Sequence, residues 1–258
     1  MPWAEVVPLD VSLPQGRLSL GIGVRQARVR LAQLVPMARQ IADRLGQLFR
    51  EDAARNGQPI SCGKGCSACC RYAVSVSAAE AHWLWEEISL MDQLQRDELT
   101  DRFICASRKI LNQWPMQASS DADADSRRGQ DVQHGLKLFA DWYSQLEMSC
   151  PLLSPRNNTC RIYSNRPLAC REHWVISDAA LCGDRPAQAI GLDLPLSVAS
   201  CLQRLQTRLE GQSPCLLLPL SAAWANDQPD QARHDAFRVA QEFVNIIQSA
   251  VAMGAGRV

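Results

Sequence analysis

Cys62-Gly-Lys-Gly-Cys66-Ser-Ala-Cys69-Cys70 places four thiols within nine residues, among small and flexible neighbours. Gly, Ser and Ala let a backbone turn tightly enough for several sulfurs to point inward together. Two residues separate Cys66 from Cys69, so both sulfurs fit on one side of a tight turn. Adjacent Cys69 and Cys70 do not easily bind one ion from a regular strand or helix. One of them is therefore expected to serve a second centre or to support the first from outside. The bland alternative is four buried thiols with no ligand, but the spacing fits zinc and iron–sulfur sites better.

A second group follows about eighty residues later: Cys150-Pro-Leu, then Cys160-Arg-Ile-Tyr-Ser-Asn-Arg-Pro-Leu-Ala-Cys170-Arg. Pro151, Pro155, Asn157-Asn158 and Pro167 mark a chain folded by turns. Cys182, in Leu-Cys182-Gly-Asp, completes a candidate set of eight with Cys62, Cys66, Cys69, Cys70, Cys150, Cys160 and Cys170. Arg71, Arg161 and Arg171 each follow a cysteine, and Arg166 lies between the last two. Guanidinium groups there would offset the negative charge of gathered thiolates, although arginine is also simply the common base of this chain. His173, three residues after Cys170, has ligand spacing but reads more naturally as an outer donor or a loop residue. His82, His134 and His234 read as surface or packing residues. Cys105, Cys201 and Cys215 have apolar neighbours, read as buried small hydrophobes, and are left out of the site.

Around these clusters the chain is ordinary for a globular protein, with 258 residues, 47% of them hydrophobic. The 27 Lys and Arg balance 27 Asp and Glu, which argues against a dedicated nucleic-acid binder. The first ten residues do not read as an export signal. The longest apolar run, Cys215-Leu-Leu-Leu-Pro-Leu220, is too short to span a bilayer. The expectation is a cytoplasmic protein with no membrane partner. In a reducing cytoplasm eleven cysteines favour metal or redox chemistry over disulfides.

Three regions are expected. Residues 1–56 comprise an irregular Pro- and Gly-rich arm to about residue 23, then an amphipathic helix from Val24 to about Arg55, kinked or divided at Pro36. Residues 57–185 form the cysteine-cluster region. It contains a short strand in 71–76, a capping box at Ser77-Ala-Ala-Glu80 opening a helix to about Met91, a helix over 93–114, a mobile polar loop near 118–131, and a helix over 132–147. The segment Cys150–Cys182 is read as mostly turns. Residues 186–258 carry helices near 197–210 and 231–252, packed on the same core. The fold class is mainly α, a helical shell around an irregular, turn-rich cysteine-ligated metal centre.

The pattern Cys62-x3-Cys66-x2-Cys69-Cys70, Cys150-Pro-Leu, Cys160-Arg-Ile-Tyr163-x2-Arg166-Pro167-x2-Cys170-Arg171 resembles the YkgJ-like cysteine-cluster family, described as a zinc- or iron-chelating domain. The resemblance spans roughly residues 60–185 and includes a late cysteine at the position of Cys182. The family's first element usually reads Cys-x2-Cys-x2-Cys-Cys, so the three residues between Cys62 and Cys66 depart from it. The domain is also similar to part of flagellin lysine-N-methylases, which implies iron–sulfur binding without implying methyl transfer.

The reading that follows is a metal-binding protein that chelates, through two convergent cysteine clusters, either an iron–sulfur cluster or zinc, with 4Fe–4S favoured because nearly every candidate donor is sulfur. A protein partner fits such a module. The alternative is a cluster-dependent enzyme, either redox or an S-adenosylmethionine-dependent transferase. Cys62, Cys66 and Cys69 do have the spacing of radical S-adenosylmethionine enzymes. The chain, however, lacks the strand–helix alternation of their barrel, and Gly21-Ile-Gly23 is not a dinucleotide fingerprint.

Overall fold

A computed structural model describes residues 5–114, 130–211, 214–228 and 231–254. The chain opens with strands β1 (Glu5–Leu13) and β2 (Gly16–Val24), then β3 (Arg28–Val29) and a 3-10 turn at Leu31–Leu34. Helix α1 (Val35–Arg55) precedes the first cysteine loop. After it come β4 (Ser75–Ser77), α2 (Ala78–Ser89), α3 (Gln93–Asn112) and α4 (Gln130–Gln145). The second cysteine segment holds only short helices, α5 (Leu168–Glu172) and α6 (Leu181–Asp184). The chain then runs through α7 (Val198–Glu210), β5 (Cys215–Leu217), α8 (Leu218–Asp227), β6 (His234–Asp235) and α9 (Ala236–Gly254). The fold is mainly α, as expected. Residues 118–129 of the expected loop lie outside the described residues.

Two expectations for the N-terminal region are overturned. Residues 5–24 form an antiparallel hairpin rather than an irregular arm, with Leu9 opposite Leu20 and Leu13 opposite Gly16. Alternation of Val7, Leu9 and Val11 with exposed neighbours, and of Leu18 with Ile22, puts one face of the ribbon in the core. The prolines and glycines that obscured this pattern sit where a ribbon tolerates them, at the turn and along the edges. The second correction concerns Pro36. It occupies the first turn of α1 instead of kinking a longer helix, and there its missing N–H removes no intrahelical bond. Strand β5 and helix α8 also had no counterpart in the sequence reading, because Pro219 masks the start of α8 in the same way.

The hairpin, α1, α7 and α9 share one apolar cluster around Leu9, Ile41, Leu202 and Phe243. Helices α2, α3 and α8 form a second with Leu152 and Ile162, and Cys150 and Cys160 pack against it. A smaller one joins Ile110 with Tyr143 and Leu146. Strand β4 pairs with β5, tying α2 to α8. The Trp174 ring lies so close to Gly46 of α1 that a β-carbon there would stand 2.2 Å from it. Glycine is needed at that helix position for ring clearance, against its poor helix propensity.

The capping box forms as the sequence predicts: the Ser77 hydroxyl accepts from Glu80 N at 3.2 Å, and Glu80 Oε2 accepts from Ser77 N at 3.2 Å. The other carboxylate oxygen does something the sequence does not announce. Glu80 Oε1 accepts from Leu168 N at 2.8 Å, capping α5 across the molecule. Burial pushes the Glu80 carboxyl up against these bonds. Ser77→Ala should therefore cost about 1 kcal/mol, the value of a local cap. Glu80→Ala should cost about 3 kcal/mol, since it also orphans the buried Leu168 amide. Urea denaturation of the two variants checks the difference; equal losses would mean that the long-range bond adds nothing.

Candidate metal centre

The first cysteine loop is a succession of tight turns. Cys66 N donates to Gly63 O, Cys70 N to Ser67 O and Tyr72 N to Cys69 O. Gly65 sits at φ +98°, a conformation that favours glycine. The second segment folds back on itself through a bridge between Leu153 and Cys160, with Arg161 N donating to Leu152 O. The two segments meet directly, because Cys150 N donates to Cys70 O at 2.7 Å. Three further contacts hold the assembly. Val175 N donates to Cys62 Sγ at 3.3 Å. The Tyr72 hydroxyl donates to Cys182 O at 2.6 Å. Ser61 N donates to Val175 O at 3.1 Å.

Arg102 on α3 fixes the start of the second segment. Its Nε donates to Pro151 O at 2.7 Å, and its Nη2 to Cys150 O at 3.2 Å and Leu153 O at 2.5 Å. Glu172 performs a similar service after Cys170, as its carboxylate accepts from Val198 N and the Ser197 hydroxyl at the start of α7. Sequence reading missed Tyr72, Arg102 and Glu172 as supports. Only Tyr72 carried a signal, its nearness to the cluster, and none belongs to a periodic pattern.

All eleven cysteines are unpaired thiols. The eight candidates fall into two overlapping electrostatic neighbourhoods. Cys62 is raised mainly by burial and further by the charges of Cys66, Cys182 and Cys69. Cys182, buried on α6, is raised by burial and by Cys69 and Cys66. In the second neighbourhood burial pushes Cys150 up to about 12, with Cys170 and Cys160 adding to it. Burial likewise pushes Cys170 up to about 12, helped by Cys69 and Cys160. Cys69 belongs to both sets, and a hydrogen bond with Cys70 together with burial drives its thiol strongly upward. Among the described residues no group of three or more Cys, His, Asp or Glu side chains is gathered closely enough to hold an ion. The thiols are neighbours across the two segments without forming a closed cage.

The arginines divide by role. Arg161 pairs with Glu98. Arg171 is buried, pairs with Asp43 and donates to the carbonyls of Ser164 and Arg166. Both are committed to scaffold contacts. Arg166 stacks over Tyr163 at 4.2 Å, and its positive charge partly offsets the upward shifts of Cys69, Cys160 and Cys170. Its Nε is buried without a partner, as is that of Arg161. His173 meets Tyr72 edge-on at 5.8 Å, next to the residue that holds the Cys182 carbonyl. His82 stacks on Trp224 and His234 bonds Glu210, both away from the thiols.

Cys201 lies in the core, where burial pushes its thiol up to about 11. Cys105 and Cys215 are exposed, which corrects the reading of them as buried hydrophobes. Their sequence neighbours are apolar, but each faces the polar side of its element. No helix is long and apolar enough to cross a membrane among the described residues.

Residues 61–183, a little under half of the chain, match the family model CxxCxxCC, described as a "putative zinc- or iron-chelating domain". This segment belongs to that cysteine-cluster family. No curated protein and no solved structure matches the chain. The CxxCxxCC domain begins at Ser61, whose amide opens the pairing with Val175, and ends just after Cys182. It therefore takes in the whole set of eight thiols.

Arg102→Met should destabilise the CxxCxxCC domain by about 2 kcal/mol or more, since three carbonyls lose a charged donor. Hydrogen exchange should show the loss concentrated at Leu153 and Arg161, whose amides close the turn that Arg102 grips. Unchanged protection there would mean that the turn holds without the guanidinium.

Proposed function

We propose that the chain is a metal-binding protein that carries an iron–sulfur cluster, of the 4Fe–4S type, held between its two cysteine clusters. The donors are drawn from Cys62, Cys66, Cys69, Cys70, Cys150, Cys160, Cys170 and Cys182. The observation that carries this reading is the backbone bond from Cys150 N to Cys70 O, which joins segments about eighty residues apart at two of their cysteines. The donor chemistry fits: the set is all sulfur, partly buried, and shared through Cys69. Arg166 strengthens the case, because a guanidinium whose charge acts on Cys69, Cys160 and Cys170 and whose buried Nε has no partner suits an anionic sulfur centre. When bound, such a cluster accepts and gives up one electron. The chain's own groups position the sulfurs, exclude water with the apolar cluster behind Cys150 and Cys160, and offset negative charge at Arg166.

A closed zinc site of four thiolates is the competing occupant, and the family description admits it. The cluster-dependent enzyme reading would need a cavity beside the cysteines. Two grooves among the described residues, along β2 and α1, are lined by no cysteine. Free thiols in this number fit a reducing compartment, in line with a cytoplasmic protein.

Protein purified without oxygen should contain iron and acid-labile sulfide at about four each per cluster, with a broad visible absorption. Cys69→Ser and Cys160→Ser should each lose most of the iron, and Cys105→Ser none. Arg166→Gln should keep the iron but lower the reduction potential, because the reduced, more negative cluster loses a nearby positive charge. Stoichiometric zinc without sulfide would replace the cluster by a structural staple. Full iron in Cys160→Ser would break the convergent arrangement.

A further inference from the structure

Gly21-Ile22-Gly23, which fits no nucleotide fingerprint, lies in the middle of a strand edge. Pro8 has no N–H and faces Gly21 across the hairpin. The bonded pairs of the ladder therefore fall at Val7–Ile22, Leu9–Leu20 and Val11–Leu18, alternating with non-bonded ones. The backbone groups of Ser19, Gly21 and Gly23 then point away from β1. The sheet has two strands, and no hydrogen bond reaches Gly21 or Gly23 from elsewhere among the described residues. Exposed edges of this length are normally shielded by charge, proline or a bulge. Here the centre of the edge is two glycines, which let another backbone come close.

Alongside this edge runs a groove of about 770 Å³ between β2 and α1. Leu20, Ile22, Met37 and Ile41 give it an apolar floor. Arg44 and Arg50 stand exposed on the helical rim. The acidic residue of the lining, Asp43, is already paired with Arg171. Arg44 has no ion-pair partner among the described residues, and Arg50 only faces the Trp174 ring at 5.9 Å. A strand edge, an apolar floor and two rim arginines without an ion-pair partner together form a strand-and-helix trough of the kind that receives peptides by strand addition.

We propose that this trough takes an extended acidic peptide segment of a partner protein as a third strand on β2. The guest's backbone pairs with Gly21 and Gly23. Alternate side chains of the guest meet the apolar floor, and its carboxylates face Arg44 and Arg50. The proposal is independent of what the cysteines bind, since the trough is lined by none of them.

The test uses the full chain and a fluorescein-labelled peptide of alternating Val and Asp, about nine residues long, read by anisotropy. A Val and Lys peptide is the charge-reversed control. The acidic peptide should saturate at micromolar concentrations and the basic one should not. Gly21→Pro removes an outward N–H without touching the ladder, so it should weaken binding by about tenfold or more. A side chain at this position meets Val6, which is 53% exposed and free to turn aside. Arg44→Glu, on the exposed face of α1, should also weaken binding by about tenfold at low salt. It decides the matter if the proline variant does not melt like the parent. The proposal is overturned by no binding at about 1 mM acidic peptide, by equal affinity for the basic peptide, or by full affinity in both variants. It is overturned equally if sedimentation shows a dimer that Gly21→Pro dissociates while the acidic peptide fails to bind, because the edge then serves a second copy.

Discussion

A carboxylate buried to 3% exposure, Glu80, is the contact on which the cysteine region depends. One of its oxygens completes the start of α2, just after the first cysteine loop. The other receives the amide that begins α5, just before Cys170. Desolvating a carboxylate is costly, and here the cost is offset by hydrogen bonds from two backbone amides and a hydroxyl. The arrangement repeats one step further on, where Glu172 at the end of α5 caps α7. Two carboxylates thus fasten α2, α5 and α7 in series. The thiol-bearing turns, which carry little regular structure of their own, hang between those fixed points.

This explains how a turn-rich segment keeps a defined shape in a mainly helical protein. The segment 150–182 has few ladder bonds, so its carbonyls and amides are satisfied by side chains that reach in from helices. Arg102 comes from α3, Glu80 from α2 and Asp43, through Arg171, from α1. Each brings charge from a regular element to irregular backbone, where charged hydrogen bonds are worth more than neutral ones. Arginine is prominent after the cysteines for two separate reasons. Arg161 and Arg171 secure the scaffold, and Arg166, between them, is the one of the three whose charge partly offsets the effect of burial on Cys69, Cys160 and Cys170.

The N-terminal hairpin stands apart from this design. It covers the core formed by α1, α7 and α9 on its inner face, and it leaves one edge and a basic groove on the outside. The cysteine centre and the hairpin edge are separate surfaces joined by α1, whose Asp43 holds Arg171 while neighbouring Arg44 faces the groove.

Reading the residues alone found the eight thiols, the capping box at Ser77 and Glu80, the helices after it and the chelating family, because each of these is written in local spacing. A thiol's identity and a helix's first turn depend on residues a few positions apart. The hairpin was hidden because Pro8, Gly21 and Gly23 break the impression of a strand, yet they lie where the ladder makes no demand on them. The exposure of Cys105 and Cys215 was hidden because apolar neighbours along a chain do not say which face an element buries. Sequence by itself determined the cysteine clusters and the helical frame. Only the tertiary structure decided that Cys70 meets Cys150, that Glu80 reaches Leu168 and that the charge of Arg166 rather than of Arg161 or Arg171 acts on Cys69, Cys160 and Cys170. Those are contacts between residues tens of positions apart, or choices among equivalent side chains, and packing alone selects them.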